Sequence, residues 1–345
     1  MKILAVDDSE IQREMLAEAL AEQGHEVFTA ADGEEAAQLI QSHRIGLVIC
    51  DWMMPKMSGP QLCRWVRRQG FAWYVYMVLL TTRNKQQDVI QGLSAGADEF
   101  LAKPLEPAEL EARVRTAERI LSLETRHLAI FAMAKLAESR DPETGHHLER
   151  IRDYCRVLAR RAAQSDDFAD TITPGFINNV YLTSPLHDIG KVGIPDCILL
   201  KPGRLTDDEF QVMKAHTSIG GDTLDATARE YPQVDFLTMC RDIILTHHER
   251  FNGKGYPKGL QGDDIPLCGR IAALADVYDA LTSKRVYKAA FAHDIARNII
   301  LDERGEHFDP RIVDAFIAEQ DTFVEIRRGF ADSPEEAEAL VASPA

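Results

Sequence analysis

The sequence has no paired-cysteine clip: its six cysteines, Cys50, Cys63, Cys155, Cys197, Cys240 and Cys268, never stand closer than 13 positions apart. That spacing excludes CxxC zinc and redox motifs and leaves reduced thiols in core or surface positions. No apolar run approaches the roughly eighteen residues that a membrane-spanning helix needs. The opening MKILAVDDSE sets acids directly after a short strand-like stretch, where a secretory signal would need a longer apolar core and a cleavage site. The chain is therefore expected to stay in the cytoplasm. Positive charge is scarce, with 39 Lys plus Arg against 55 Asp plus Glu and a formal net charge of −16. This argues against broad attraction to DNA or to an anionic membrane. A terminal basic helix pair, which a DNA-binding output would use, is missing too. Any phosphate-bearing ligand must be held by local cations or by metal ions.

What is present is the composition of a folded protein, 45% hydrophobic and 27% charged over 345 residues, a length that predicts two domains. The first hundred residues alternate short apolar runs with amphipathic stretches, the pattern of a doubly wound α/β sheet. Strands are predicted at Lys2 to Val6, Glu26 to Ala30, Leu47 to Cys50, Tyr76 to Leu80 and Glu99 to Leu101. Helices are predicted from a Ser9 cap to Gln23, and from an Asp32 cap to Gln41. Ligands of such sheets collect at the carboxyl ends of the strands. Those ends carry Asp7 and Asp8, Asp51, Thr81 and Lys103. Three carboxylates, a hydroxyl and an ammonium brought together there suit a hard divalent cation, with one carboxylate left as nucleophile for phosphoryl transfer. Taken singly, Asp7 and Asp8 would be read as helix caps and Lys103 as a residue before a turn, but all of them at matching strand ends point to one site.

The stretches VDDS, VICDWMMPKMSG, LLTTR and SAGADEFLAKP closely resemble a response-regulator receiver domain over residues 1–120. The resemblance implies a flavodoxin-like fold with Asp51 as phospho-acceptor and with Asp7, Asp8 and Asp51 around magnesium. It implies that Thr81 and Lys103 contact the phosphoryl group, that Phe100 reorients with Thr81, and that a sensor histidine kinase is the partner. Thr82 stands where the family more often has a smaller residue.

From Pro107 to about Arg140 no glycine and no further proline interrupts the chain, and Leu110, Val114, Ile120, Leu121, Leu123, Leu128 and Ile130 suggest one long helix. The irregular heptad spacing of this connector, 107–140, fits a packed monomeric helix as well as one paired with its copy, and a homodimer is the expectation.

Beyond residue 140 the period is helical, and chemistry-bearing residues accumulate. Glu143 and His147 are four apart, which puts them on one face if the helix has begun by then. His187 and Asp188 are adjacent, His216 lies in MKAHTSIGG, and His247 and His248 close RDIILTHH. Asp276 sits inside the apolar stretch RIAALADVYDAL. A carboxylate there is costly unless paired or metal-bound. A lone histidine such as His216 is more often a capped or solvated residue, yet the whole set in one domain calls for a metal centre. Imidazole and carboxylate ligands without thiolate suit iron, manganese or zinc.

The motifs FAMAKLAESRDPETGHHLER, HDIGKVGIPDCILLKPGRLTDDEF, HHERFNGKGYPKGLQGDDIPLCGRI and ADVYDALTSKRVYK resemble the HD superfamily of metal-dependent phosphohydrolases, and more closely its HD-GYP branch. The resemblance implies an all-α metallophosphohydrolase over 130–330 that cleaves cyclic di-GMP to the linear dinucleotide pGpG and to GMP with two or three iron or manganese ions. By position, Glu143, His147, His187, Asp188, His216, His247, His248 and Asp276 become metal ligands, with Asp188 catalytic as well. Lys191 becomes the group that stabilises charge or protonates the leaving 3′ oxygen. Asp279, Arg285 and Lys288 fall at substrate-binding positions, although Val286 replaces a usual proline. Gly255, Tyr256 and Pro257 form the GYP triplet, where Tyr256 either packs its loop or meets diguanylate cyclase (GGDEF) domains. The acidic tail 331–345 is expected to be a short helix or disordered. Two rival readings are a catalytically inactive cyclic di-GMP sensor or scaffold for cyclase partners, and a hydrolase of another cyclic dinucleotide.

Overall fold

The computed structural model describes residues 1–69, 71, 73–81, 86–140, 145–283 and 290–330. The expectations for Thr82, Glu143, Arg285, Val286 and Lys288, and for the tail 331–345, fall outside those residues. The chain divides into two compact units, Met1–Leu128 and Ala129–Ala345. Among the described residues no helix is long and apolar enough to cross a membrane.

In the first unit, β1 (Lys2–Val6), β2 (Glu26–Ala30), β3 (Leu47–Asp51), β4 (Tyr76–Thr81) and β5 (Glu99–Ala102) form one parallel sheet in the order β2-β1-β3-β4-β5. The helices α1 (Glu10–Glu22), α2 (Gly33–His43), α3 (Gly59–Gln69), α4 (Gln86–Ser94) and α5 (Pro107–Glu138) follow the strands in turn. Successive strand side chains point to opposite faces. Ile3, Ala5, Leu47, Ile49, Val78 and Leu80 therefore share one core with Leu16 and Leu20 of α1 and Leu110, Val114 and Ala117 of α5. Leu4, Val6, Val48, Cys50, Met77 and Leu79 share the other with Ala36 and Ile40 of α2 and Leu62 and Val66 of α3. A sheet covered on both faces needs near-continuous apolar strands, as β3 and β4 are up to their last residues, Asp51 and Thr81. Asp32 caps α2, accepting from the amides of Glu34 and Glu35 at 2.9 and 3.0 Å. Ser9 departs from expectation: it holds the cap position of α1 but its hydroxyl caps nothing. Its amide donates instead to Asp7 Oδ1 at 2.9 Å.

The second unit is helical. It contains the end of α5 and α6 (His147–Ala162), α7 (Pro174–Thr183), α8 (Asp196–Leu199), α9 (Asp207–Glu230), α10 (Asp235–Thr246), α11 (Leu267–Thr282), α12 (His293–Asp302), α13 (Pro310–Ala318) and α14 (Gln320–Gly329). Short 3₁₀ turns lie at Ser184–Leu186 and Ile189–Gly193. The core gathers α6, α11, α13 and α14 around Tyr154, which stacks on Phe323 at 4.4 Å and meets Tyr278 edge-on at 5.3 Å. Ala134 of α5 is buried beside Leu148, Leu186, Cys240 and Ile244. α6 begins only at His147, after a turn in which Gly145 takes a φ of +37°. The face shared by Glu143 and His147 lies outside the described residues. All six cysteines are free; burial pushes Cys63, Cys155, Cys240 and Cys268 up to about 12, which keeps them inert.

Candidate metal centre

The strand ends of the first unit do converge. Asp7 and Asp8 follow β1, Asp51 ends β3, Thr81 ends β4 and Lys103 follows β5, and all five line one cleft with Ser9, Gln12, Trp52 and Met53. Lys103 Nζ lies 2.7 Å from Asp7 Oδ2 and is ion-paired with Asp51. Burial works against the ammonium, but its bonds to Asp51 and Asp7 outweigh it and raise Lys103 above the ordinary range. Asp51 Oδ2 accepts from the Met53 amide at 3.0 Å, so its other oxygen is the one turned to Lys103. Phe100 packs between Gly92 and Trp52 and is half-buried, on the sheet beside the cleft rather than in it.

In the second unit five separate elements deliver the motif residues. His147 opens α6, His187 and Asp188 lie between the two 3₁₀ turns, and His216 is on α9. His247 caps the end of α10 with His248 next, and Asp276 is on α11. α9 starts with a capping box, Thr206 and Glu209 exchanging bonds with each other's backbone amides. The 3₁₀ turn can press against α9 because residue 190 is glycine; a Cβ there would stand 1.9 Å from the His216 carbonyl oxygen.

Two ligand groups result, Asp188 with His216, His247 and His248, and His147 with His187 and Asp276, the donor atoms of each group lying within 4.8 Å of one another. Asp188 faces both: Oδ1 is 3.2 Å from His216 Nε2 and 3.6 Å from His247 Nε2, while Oδ2 is 3.3 Å from His187 Nε2. Four imidazoles are fixed from behind. Nδ1 meets Asp279 Oδ2 at 2.8 Å in His147, the Ser184 carbonyl at 2.9 Å in His187, the Met213 carbonyl at 2.8 Å in His216 and the Ile243 carbonyl at 3.1 Å in His247. Since these partners accept only, Nδ1 carries the proton and Nε2 offers a lone pair inward. His216 Nε2 and His247 Nε2 face each other at 3.4 Å, a contact of two lone pairs that a shared cation relieves. Among the described residues the buried His187 Nε2 and Asp188 Oδ1 have no hydrogen-bond partner. Fixed neutral imidazoles, inward lone pairs and a carboxylate between them are what two divalent cations require.

Burial works against charge on His187, but Asp188 outweighs it and raises that imidazole above the ordinary range. Burial, aided by His247, holds His248 well below the usual imidazole range. Burial raises Asp188, but Lys191 and then His187 outweigh it and keep it well below the carboxylate range. Lys191 Nζ is 2.8 Å from Asp188 Oδ2, as their spacing of three predicts.

Asp279 corrects its sequence assignment. It is 1% exposed, and its oxygens are taken by Arg150 Nε and Nη2 at 2.6 and 2.9 Å and by His147. With no free face it orients His147 instead of touching a substrate, and Arg150 keeps it ionised against burial. Arg150 itself escaped the sequence reading; its only signal is a spacing of three from His147. Glu249 escaped as well. It is 2% exposed and accepts from the amides of Lys258 and Leu260 at 2.7 and 3.1 Å, pinning the loop that carries Gly255, Tyr256 and Pro257. A Cβ at residue 255 would lie 2.3 Å from the Arg250 amide, so only glycine allows that approach. Tyr256 packs on the His248 ring at 4.7 Å, which sets the triplet beside the metal ligands.

Residues 3–115 match the response regulator receiver domain family and residues 132–312 the HD domain family. A probable cyclic di-GMP phosphodiesterase of Vibrio cholerae is 40% identical over 96% of this chain and 80% of its own length. The cyclic di-GMP phosphodiesterase response regulator RpfG of Xanthomonas campestris is 36% identical over 92% of this chain and 87% of its own. A 3′3′-cGAMP-specific phosphodiesterase 2 of Vibrio cholerae is 40% identical, but over 61% of this chain and 38% of its own length.

Proposed function

Because the chain belongs to the response regulators that join a receiver domain to an HD domain, we propose that it hydrolyses cyclic di-GMP to pGpG and GMP under control of phosphorylation at Asp51. The observation that carries this reading is the meeting of two ligand groups at Asp188. Asp188, His216, His247 and His248 hold one ion, and His147, His187 and Asp276 a second, with Asp188 shared; Glu143 supplies a carboxylate for a third. When held there, iron or manganese would supply charge neutralisation at the scissile phosphodiester and a lowered pKa for water. Lys191, held by Asp188, donates to the leaving 3′ oxygen. Asp279 and Arg150 keep His147 in the tautomer that binds, and Arg285 and Lys288 take the remaining phosphate and guanine. In the first unit Asp7, Asp8 and Asp51 hold magnesium, and Thr81 and Lys103 bind the phosphoryl oxygens. The same reading makes the protein cytoplasmic, with a sensor histidine kinase as phosphodonor and GGDEF domains meeting the loop around Tyr256. It makes the protein a homodimer through α5, whose Leu128, Met133 and Leu136 are exposed.

The test is turnover of cyclic di-GMP by protein purified anaerobically and loaded with ferrous iron or manganese, beside 3′3′-cGAMP. Chelation is expected to abolish hydrolysis and re-addition of metal to restore it; fully loaded protein that binds cyclic di-GMP without cleaving it refutes the reading. Lys191→Ala is expected to lower kcat about a hundredfold with little change in KM, as for removal of one donor to developing charge; an unchanged kcat in steady-state assays removes Lys191 from the chemistry. Asp279→Asn keeps the volume but loses the anionic partner of His147. It is expected to weaken metal binding about 10- to 100-fold in competition with a chromogenic chelator.

A further inference from the structure

The 3₁₀ turn Ile189–Gly193, which follows Asp188 and contains Lys191, is gripped from two sides. On one side Gly190 presses into the backbone of α9, where any Cβ would meet His216 O at 1.9 Å and Gly220 N at 2.7 Å. On the other lies Arg140, two residues past the end of α5. Its Nη1 donates to the Val192 carbonyl at 2.5 Å, its Nη2 to the Ile194 carbonyl at 3.4 Å, and Nη2 also ion-pairs with Asp196. Carbonyls at the C-terminal end of a short helical turn lack internal partners, and that end is the negative pole of the local dipole. A planar guanidinium presents its donors to two such carbonyls in a fixed fork, whereas an ammonium is a point charge on a flexible stem.

We propose that Arg140 is a positioning residue for the hydrolysis: by capping this turn from the exit of α5 it sets where Asp188 and Lys191 stand, and it is the point at which α5 acts on them. The bonds of Arg140 to this turn go to backbone carbonyls, so it acts on Asp188 and Lys191 through the backbone. The register of the turn is otherwise kept by Lys191 N to Asp188 O at 2.9 Å and Ile194 N to Lys191 O at 3.1 Å, both of which loosen when the turn frays from its C-terminal end. α5 is one helix from Pro107, with Leu110, Val114 and Ala117 in the core of the first unit.

The inference rests on the phosphodiesterase reading, and the two fail differently. Wild-type protein inert toward cyclic di-GMP sinks the reading; active wild type with an equally active Arg140→Ala sinks the positioning role alone. For metal-loaded Arg140→Ala we expect kcat to fall about 10- to 100-fold, the scale of a catalytic group displaced by about an ångström. KM and metal content should stay unchanged, and the difference in rate with and without beryllofluoride on the receiver should shrink. In metal-free protein, amide exchange of residues 189–194 should accelerate while α9 stays protected. Arg140→Lys, which keeps the charge but not the fork, should recover only part of kcat, and it carries the test where the alanine variant does not fold. Loss of metal in parallel with kcat, or kcat and the beryllofluoride response both within twofold of wild type, overturns the proposal.

Discussion

Replacing Asp188 by alanine is expected to lower kcat for cyclic di-GMP about a thousandfold, because the metals' share of transition-state stabilisation is several kcal/mol and each 1.4 kcal/mol is about tenfold. The effect should exceed that of any single histidine, since among the described residues Asp188 is the candidate ligand facing both groups, with His216 and His247 on Oδ1 and His187 and Lys191 on Oδ2. Metal content separates the causes. Binding of fewer ions than wild type in elemental analysis supports a shared ligand, whereas full occupancy and full turnover would end that role. Asp188→Asn is the matched control: it keeps the volume and one acceptor oxygen but loses the charge that Lys191 and His187 stabilise, and it should fall nearly as far. A single thermal unfolding transition near that of wild type shows that the loss is chemical, which the separate hydrophobic core around Tyr154 leads us to expect.

Asp51→Asn is expected to abolish phosphoryl incorporation from acetyl phosphate with magnesium, and with it any effect of phosphodonor on the phosphodiesterase rate. A carboxylate oxygen attacks phosphorus, whereas a carboxamide is a poor nucleophile. The substitution keeps the side-chain volume at a position 9% exposed, and the pair between Lys103 and Asp7 at 2.7 Å persists, so the cleft should stay built. Intact-mass spectrometry checks this directly: wild type gains one phosphoryl group and the variant none. Equal incorporation in both would move the acceptor to another residue, with Asp8 the next candidate in the cleft.

How much of this was readable beforehand differs between the two sites. In the first unit the strand ends could be located almost to the residue because a doubly covered parallel sheet writes its strands as continuous apolar runs, and the first polar residue after each run is the strand end. Asp7, Asp51, Thr81 and Lys103 needed no further information. In the second unit the ligands were legible as residue types, since a carboxylate such as Asp276 in an apolar helix and paired histidines at a helix end carry their cost in the sequence itself. Their grouping was not. Nothing in the spacing says that Asp188 stands between two groups, because His147, His187, His216, His247 and Asp276 come from five elements that meet only when the helices pack. Asp279 misled for the same reason: one turn after Asp276 it looks directed at the same ligand, yet a turn of about 100° per residue is enough to rotate it behind His147 and onto Arg150.

By itself the amino-acid sequence determined the two-part organisation, the parallel sheet, the cleft at its strand ends and the residue types of the metal centre, all consequences of local periodicity and of the price of burying charge. Tertiary packing alone decided how the candidate ligands fall into two groups, and that Asp279, Arg150, Glu249 and Arg140 contact the site from outside it. His187, His216 and His247 are turned by carbonyls only 3 or 4 residues away, whereas the contacts of Asp279, Arg150, Glu249 and Arg140 reach partners 9 to 132 residues away in the chain. Interactions over such separations arise from how helices pack, and no pattern of neighbouring residues encodes them.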